Sequence, residues 1–223
     1  MFVYIIIDLE TTGLDTRSDR MVSLAAKVLH PNIIEEPITD EHDLYLTTKT
    51  FKCYTNPNMP NYAVNINKID DEFLGTSGSF EKHIKKFWKW IRDVSGSNDR
   101  IVFIGHNFDY FDETMLLAEM SRTRTFSWIP AEKQFFKLDT MKLFKYVFPL
   151  TTKSVPYGLP NLVFAPESYK QVDVYTFMFH KEPSKQHDAL GDVLALEEIL
   201  NTDVFKSILP LATPEFSRIQ FKN

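Results

Sequence analysis

Apolar and polar positions along the chain follow two periods, and these periods predict strands first and helices later. The run FVYIII near the start is continuously β-branched or aromatic, which is typical of a strand buried on both faces. Other short apolar runs indicate further strands, with a polar loop over residues 32–43. The predicted strands are residues 2–7, 21–29, 45–54, 101–104 and 136–138.

The clearest predicted helix covers residues 79–94, where apolar side chains recur close to every 3.6 positions. Ser79 is suited to cap its start and Gly96 to end it. Weaker patterns predict helices near residues 108–122, 141–147, 188–201 and 204–209. Strands that are followed by alternating strands and helices indicate an α/β fold with a mixed central sheet flanked by helices.

Composition limits the class of protein. The chain has 223 residues, enough for one domain that buries a core without disulfides or structural metals. Its one cysteine, Cys53, leaves no internal disulfide and favours a reducing compartment. The longest apolar run, residues 1–7, is far shorter than the roughly 20 residues of a membrane span. We therefore expect an intracellular protein, cytoplasmic or nuclear, that is neither secreted nor bound in a membrane.

The net charge of −5 argues against a protein that coats nucleic acid by bulk electrostatics. It is compatible with an enzyme that holds a few phosphates locally, because an acidic site that recruits cations would itself make the total negative.

Two acids, Asp8 and Glu10, end the first predicted strand. Residues two apart on a strand face the same side, so their carboxylates would lie roughly 6 Å apart and repel by about 3 kcal/mol. A shared proton or a bound cation would offset that repulsion. The alternative is a strand end that simply runs into solvent.

Asp112 and Asp192 each lie on or beside the inward stripe of a predicted helix, where a carboxylate is costly without a partner. A salt-bridged helix residue is the alternative for Asp112. His187 precedes Asp192 by five residues, and the two would point apart on one continuous helix. We therefore expect His187 in the loop before that helix, facing the same cleft.

Four acids from three predicted elements form an oxygen-rich site that suits Mg²⁺ or Mn²⁺ better than Zn²⁺. Two such ions about 3.5–4 Å apart are a recurring device for cleaving phosphoesters. A histidine nearby could accept the proton of the attacking water.

Three motifs in order give the chain its resemblance to a family. Residues 8–15 read DLETTGLD, residues 106–112 read HNFDYFD, and residues 187–192 read HDALGD. Shorter marks agree, namely LDT at residues 138–140 and LPNL at residues 159–162. These residues resemble the DnaQ-like 3′→5′ exonucleases of the DEDDh type, which are built on a ribonuclease H-like fold.

This resemblance implies a phosphodiester hydrolase that releases nucleoside 5′-monophosphates from 3′ ends. It implies that two catalytic ions are held by the four acids Asp8, Glu10, Asp112 and Asp192. His187 would be the general base. The residues expected to hold the terminal nucleotide are Thr11, Thr12, Leu14, Asn107 and Phe108, with Leu14 as a wedge and Phe108 as either a stacking or a core side chain.

The sequence departs from the family pattern in two places. Asn67-Lys68 stand where many relatives carry a His-Gly pair, so a contact inferred from that histidine cannot be transferred. Residues 165–186 form an apparent insertion within a single domain spanning residues 1–223. Its alternating stretch, residues 172–179, predicts an extra hairpin near the cleft or an edge strand packed elsewhere.

Several functions stay open at this point. The leading one is a stand-alone exonuclease that acts on single-stranded ends, with DNA slightly favoured over RNA. A proofreading partner of a polymerase is a close variant, which the apolar segment 204–221 could dock. A hydrolase of short oligonucleotides and a non-catalytic nucleic-acid-binding protein are further alternatives. A polymerase or a second copy of the chain is an open partner.

Overall fold

In a computed structural model, a six-stranded mixed sheet forms the centre of the protein. The structure describes residues 1–29, 37–40, 44–47, 49–148, 165–209 and 217–221. The strand order in the sheet is β5-β2-β1-β6-β7-β8, and β3 and β4 form a separate two-stranded sheet. The strands are β1 (Phe2–Thr11), β2 (Met21–Val28), β3 (Pro37–Asp40), β4 (Leu44–Thr47), β5 (Thr50–Tyr54), β6 (Arg100–Gly105), β7 (Gln134–Asp139) and β8 (Ser217–Arg218).

Strand β1 lies in the middle of the sheet, as its continuous apolar run predicts. It pairs antiparallel with β2 and parallel with β6, while β7 runs parallel to β6. Its pairing with β6 ends at Ile6, whereas its pairing with β2 continues to Thr11. The end of β1 therefore projects beyond the parallel part of the sheet, where ligands of α/β folds commonly bind.

Helices cover both faces of the sheet. One face packs mainly against α3 and α4 through an aromatic-rich cluster that includes Phe87, Trp88 and Phe103. The other face packs against α5 to α8 through a more aliphatic cluster around Val193 and Leu196. The helices are α1 (Val64–Asn67), α2 (Asp71–Thr76), α3 (Phe80–Asp93), α4 (Asp112–Thr123), α5 (Thr140–Val147), α6 (Gln171–Phe179), α7 (Ala189–Leu200) and α8 (Asp203–Ile208). The α/β fold with a mixed, helix-flanked sheet is thereby confirmed.

Helix boundaries follow local capping chemistry. The Ser79 hydroxyl accepts a hydrogen bond from Lys82 N at the start of α3, as predicted. The helix predicted from residue 108 begins at Asp112 instead. Asn107 adopts a left-handed conformation (φ 59°), and the Asp139 carboxylate accepts hydrogen bonds from the backbone N–H groups of Asn107 and Asp109. These contacts hold residues 106–111 in turns.

Three further sequence-based expectations are wrong. The strand predicted over residues 45–54 is divided, because β4 pairs with β3 whereas β5 pairs with β2. The loop predicted over residues 32–43 contains strand β3. The stretch 172–179, predicted as a hairpin or edge strand, belongs to helix α6, which buries Val174 and Tyr175. Apolar residues lie on most sides of this helix, so its sequence shows no clear 3.6-residue period. The apparent alternation of apolar and polar residues therefore led to the wrong prediction of a strand.

Residues near the chain end pack onto the core. Phe205 is buried, and the Phe221 ring lies edge-on to Trp88 with centroids 5.7 Å apart. These parts of the segment 204–221 are therefore occupied within the fold. No helix in the part of the chain that the structure describes is both long and apolar enough to cross a membrane. The motif at residues 159–162 lies outside the described residues.

Candidate active site

The projecting end of β1 carries the first two acids of the site. Asp8 and Glu10 share the sheet face that packs against α7, because Ile6 on the same face belongs to the α7-side core. Asp192 reaches them from the first turn of α7. One carboxylate oxygen from each of these three residues can lie within 4.8 Å of the others. The structure thus brings three of the four predicted acids into one group.

Asp112, the fourth predicted acid, lies beside this group. It is the first residue of α4 and is 1% exposed. Its Oδ1 accepts a hydrogen bond from Leu9 N at 3.0 Å, at the point where β1 has outrun its pairing with β6. The carboxylate therefore takes the place of a missing strand neighbour and fixes the backbone between Asp8 and Glu10.

Burial, and after it the proximity of the other acids, raises the pKa of each carboxyl group in the site. Burial, and then the neighbouring carboxylates, raises the pKa of Asp8 well above its ordinary value and that of Glu10 to about 8. Burial raises the pKa of Asp112 to about 8 despite its hydrogen bond from Leu9. Burial also raises the pKa of Asp192 to about 6. A divalent cation would stabilise the ionised form of these carboxylates and could therefore replace the protons that they otherwise retain.

His187 lies in the loop before α7, as expected, and its side chain is exposed. Its backbone is left-handed (φ 59°), and its N–H donates to Asp192 Oδ2 at 2.9 Å. Gly191 permits this turn, because a Cβ there would lie 2.1 Å from the Lys185 carbonyl oxygen. The segment before the helix therefore folds back closely over the first turn that carries Asp192.

The residues predicted to hold a nucleotide differ in what they offer. Thr11 and Thr12 are buried, and their hydroxyls already bond to Gly13 O and Asp19 Oδ1. Their side chains therefore shape the turn. Leu14 beside them is 81% exposed and free to meet a base.

The second predicted group behaves differently. Asn107 lies in the turn held by Asp139. Phe108 is 1% exposed, and its ring packs near Phe103 with centroids 6.5 Å apart. A ring buried to this extent offers no open face to a base, so its placement fits the core interpretation and not the stacking one.

The sequence assigned no role at the site to one basic residue, Lys52, and one polar residue, Asn67. Lys52 of β5 forms an ion pair with Asp188, the residue after His187, and the pair lies beside the acidic group. Asn67 donates from Nδ2 to Thr11 O at 3.1 Å and so supports the turn after Glu10. Asn67 had a signal, since it stands where the family pattern is broken. Lys52 had none, because its place depends on the register of β5.

Chemically, the arrangement can hold a divalent cation in a set of carboxylate oxygens, with a histidine close to one of the ligands. In the part of the chain that the structure describes, Asp8, Glu10 and Asp192 form the group of potential metal ligands that lie close enough together to share one cation. Oxygen donors of this kind suit Mg²⁺ or Mn²⁺.

Comparison with known proteins places these features in a family. The family model RNase_T, described as an exonuclease, matches residues 5–200. PolC-type DNA polymerase III of Staphylococcus epidermidis is 26% identical over 110 residues, which is 48% of this chain and 6% of that protein. The same protein of Staphylococcus aureus gives the same identity and coverage. The chain thus spans only a small part of the length of these curated relatives.

Solved structures share the fold. E. coli exonuclease I in complex with a dT13 oligonucleotide is similar with a TM-score of 0.61 and 18% identity over 96% of this chain and 43% of that chain. A zinc-bound complex of the same E. coli protein with single-stranded DNA gives a TM-score of 0.63 and 19% identity, covering 94% and 43% of the two chains. These likenesses confirm the ribonuclease H-like fold. The chain spans less than half of the length of the E. coli protein.

Proposed function

The chain belongs to the RNase_T exonuclease family, and on this premise we propose that it is a DEDDh-type 3′→5′ exonuclease that uses two divalent ions. The observation that carries the proposal is the group of Asp8, Glu10 and Asp192, whose carboxylate oxygens can lie within 4.8 Å of one another. Mg²⁺ or Mn²⁺ held there, with Asp112 beside the group, would supply Lewis-acid charge and a water of lowered pKa.

The chain's own residues have separate roles in this proposal. Asp8, Glu10 and Asp192 hold the ions together with Asp112, whose Oδ1 also fixes the β1 backbone between Asp8 and Glu10 through Leu9 N. His187 accepts a proton from water as the water oxygen bonds to phosphorus. The bond from phosphorus to the O3′ of the preceding nucleotide then breaks, and that oxygen is protonated. The product is a nucleoside 5′-monophosphate.

The proposed substrate is a single-stranded 3′ end, with DNA slightly favoured over RNA. Leu14 is exposed next to the Thr11–Thr12 turn, where an apolar side chain can support a terminal base of any sequence. E. coli exonuclease I, which has the same fold, has been solved with dT13 and with dA16, and these complexes support the choice of a single strand.

A proofreading exonuclease that works with a polymerase is the second candidate. The similarity of 110 residues to PolC-type DNA polymerase III favours it. We further propose that residues 1–223 form one exonuclease domain in which residues 165–186 are an insertion. Hydrolysis of short oligonucleotides is the outcome that remains if long strands are resistant.

The test is digestion of 5′-labelled single-stranded DNA and RNA of equal sequence, with Mn²⁺ and with EDTA. We expect a ladder that shortens from the 3′ end only with metal and is absent in Asp8→Asn. Asp109→Asn is the matched control, because Asp109 is an acid of the second motif that pairs with Lys137 and Lys142. Intact long strands in every lane, with cleavage of dinucleotides, would support the short-substrate enzyme. Intact substrates throughout would refute the proposal.

A further inference from the structure

A half-buried ion pair between Lys52 and Asp188 lies beside the acidic group and takes no part in the chemistry proposed above. Lys52 Nζ is 2.5 Å from Asp188 Oδ1, and the two side chains are 11% and 29% exposed. Because desolvation offsets most of the attraction in such a pair, it contributes little net stability. What distinguishes this pair is its position, because it connects strand β5 to the segment that precedes helix α7.

The register of three neighbouring strands directs Lys52 to the site. Asp8 of β1 pairs with Ala25 of β2, and Ala25 pairs with Lys52 of β5. Directly paired residues project from the same sheet face, so the three side chains form one row. The Cα atoms at the two ends are about 10 Å apart across two strand spacings. The small Ala25 side chain between them leaves room for the long Lys52 side chain.

Asp188 connects this row to the turn that carries His187. Its Oδ1 meets Lys52, while its Oδ2 accepts a hydrogen bond from Gly191 N at 3.1 Å and caps helix α7. Two further hydrogen bonds close the turn between His187 and Asp192. His187 N donates to Asp192 Oδ2, and Asp192 N donates to Asp188 O. One carboxylate therefore links the edge of the sheet to the turn between His187 and Asp192.

We propose that Lys52 is a positioning residue whose ion pair with Asp188 fixes the 187–192 turn against strand β5. It thereby holds the His187 side chain and the Asp192 carboxylate in place beside Asp8 and Glu10. Lys52 acts through Asp188 and does not touch the substrate. This role rests on the proposed function for its catalytic consequence, although the fixing of the turn can be measured without any activity.

The same helix offers a matched control. Lys27 of β2 forms an ion pair with Glu197 in the second half of α7, at 3.5 Å, with side chains 16% and 17% exposed. Lys27 is directly paired with Ile6, so it lies on the same sheet face as Lys52. The two lysines therefore make comparable half-buried contacts with one helix, but only that of Lys52 is next to His187.

The first measurement is hydrogen exchange in the metal-free protein. We compare Lys52→Met, Lys52→Arg and Lys27→Met, and follow the peptide covering residues 185–193. We expect faster exchange of this peptide in Lys52→Met, wild-type behaviour in Lys27→Met, and recovery in Lys52→Arg, which keeps the cation. Equal exchange in the two methionine variants would overturn the proposal. An inactive wild-type protein would refute the proposed exonuclease function while leaving this measurement able to decide the role of Lys52.

The second measurement is steady-state cleavage of a 5′-labelled oligonucleotide with Mn²⁺. We expect kcat of Lys52→Met to fall about 10- to 100-fold, because small displacements of reacting groups have effects of this size. KM should stay within about threefold, and the double variant with Asp188→Asn should be no slower than the worse single variant, since paired residues act as a unit. A rise in KM with unchanged kcat would show that Lys52 contacts the substrate. Additive losses in the double variant would show that Lys52 and Asp188 act independently. Either result overturns the proposal.

Discussion

Replacing Glu10 by glutamine should stabilise the metal-free protein at alkaline pH. Glu10 stands among carboxylates, and its pKa is raised from 4.5 to about 8, by burial first and by Asp192, Asp188 and Asp112 after it. Between these two pH values the folded protein binds more protons than the unfolded chain. Stability therefore falls as pH rises through this window, and the loss is complete above the folded pKa. Glutamine has no charge and avoids this loss.

The size of the effect follows from the shift. At 1.36 kcal/mol per pKa unit the full shift would correspond to about 5 kcal/mol. Because Glu10 is only half-buried, solvent screening lowers the expected gain to about 1–3 kcal/mol. For a chain of this size each kcal/mol moves the melting temperature by roughly 2–4 °C.

The assay is thermal unfolding of wild type and Glu10→Gln in EDTA at pH 5, 7 and 9, and again at pH 9 with Mn²⁺. The variant should match wild type at pH 5, exceed it at pH 9 in EDTA, and fall below it once Mn²⁺ is added, because only wild type keeps the full ligand set. Glu167→Gln, at an exposed position, is the control and should show no such trend. A variant that gains nothing at pH 9 in EDTA would refute the idea that burial and the neighbouring acids raise the pKa of Glu10.

Three further substitutions test other parts of the structure. Phe108→Ala should cost about 3–5 kcal/mol in urea unfolding, because the ring is fully buried; a rise in KM without loss of stability would instead indicate base stacking. Gly191→Ala should lower kcat at least about tenfold, since its Cβ would meet the Lys185 carbonyl and displace the His187 turn; wild-type kcat would contradict this. Glu119→Gln should cost about 3–5 kcal/mol in the same unfolding assay, because Glu119 is 1% exposed and pairs with Arg20; a loss below about 1 kcal/mol would show that the pair is dispensable.

Elements with strong local signals could be predicted from the sequence. The FVYIII run gave a central strand, the 3.6-residue period gave α3, and the costly inward acids pointed to one site. Three of those acids do converge, and His187 does precede its helix in a loop. Each of these conclusions depends on neighbours within a few residues or on motifs that occur together.

Features that depend on distant pairing could not be predicted. Lys52 lies beside the acidic group only because β5 pairs with β2 in one particular register. The division of residues 45–54 depends on which strand each half joins. Burial of Phe108 depends on how the 106–111 turns pack below the sheet end. Neither periodicity nor composition carries this information, because a one-residue slip would change every one of these contacts.

The projection of β1 beyond β6 has a consequence for how the protein matures. The contacts that complete this end of the strand are remote in sequence, since Leu9 to Asp112 spans 103 positions and Lys52 to Asp188 spans 136. Such contacts close only after the intervening chain has been ordered, because their loop-closure cost must first be met. A chain that is still emerging from the ribosome, with residues 188–192 not yet synthesised, lacks Asp192 of the acidic group and the Asp188 partner of Lys52. The cation binding that we propose for this group therefore requires the completely folded chain.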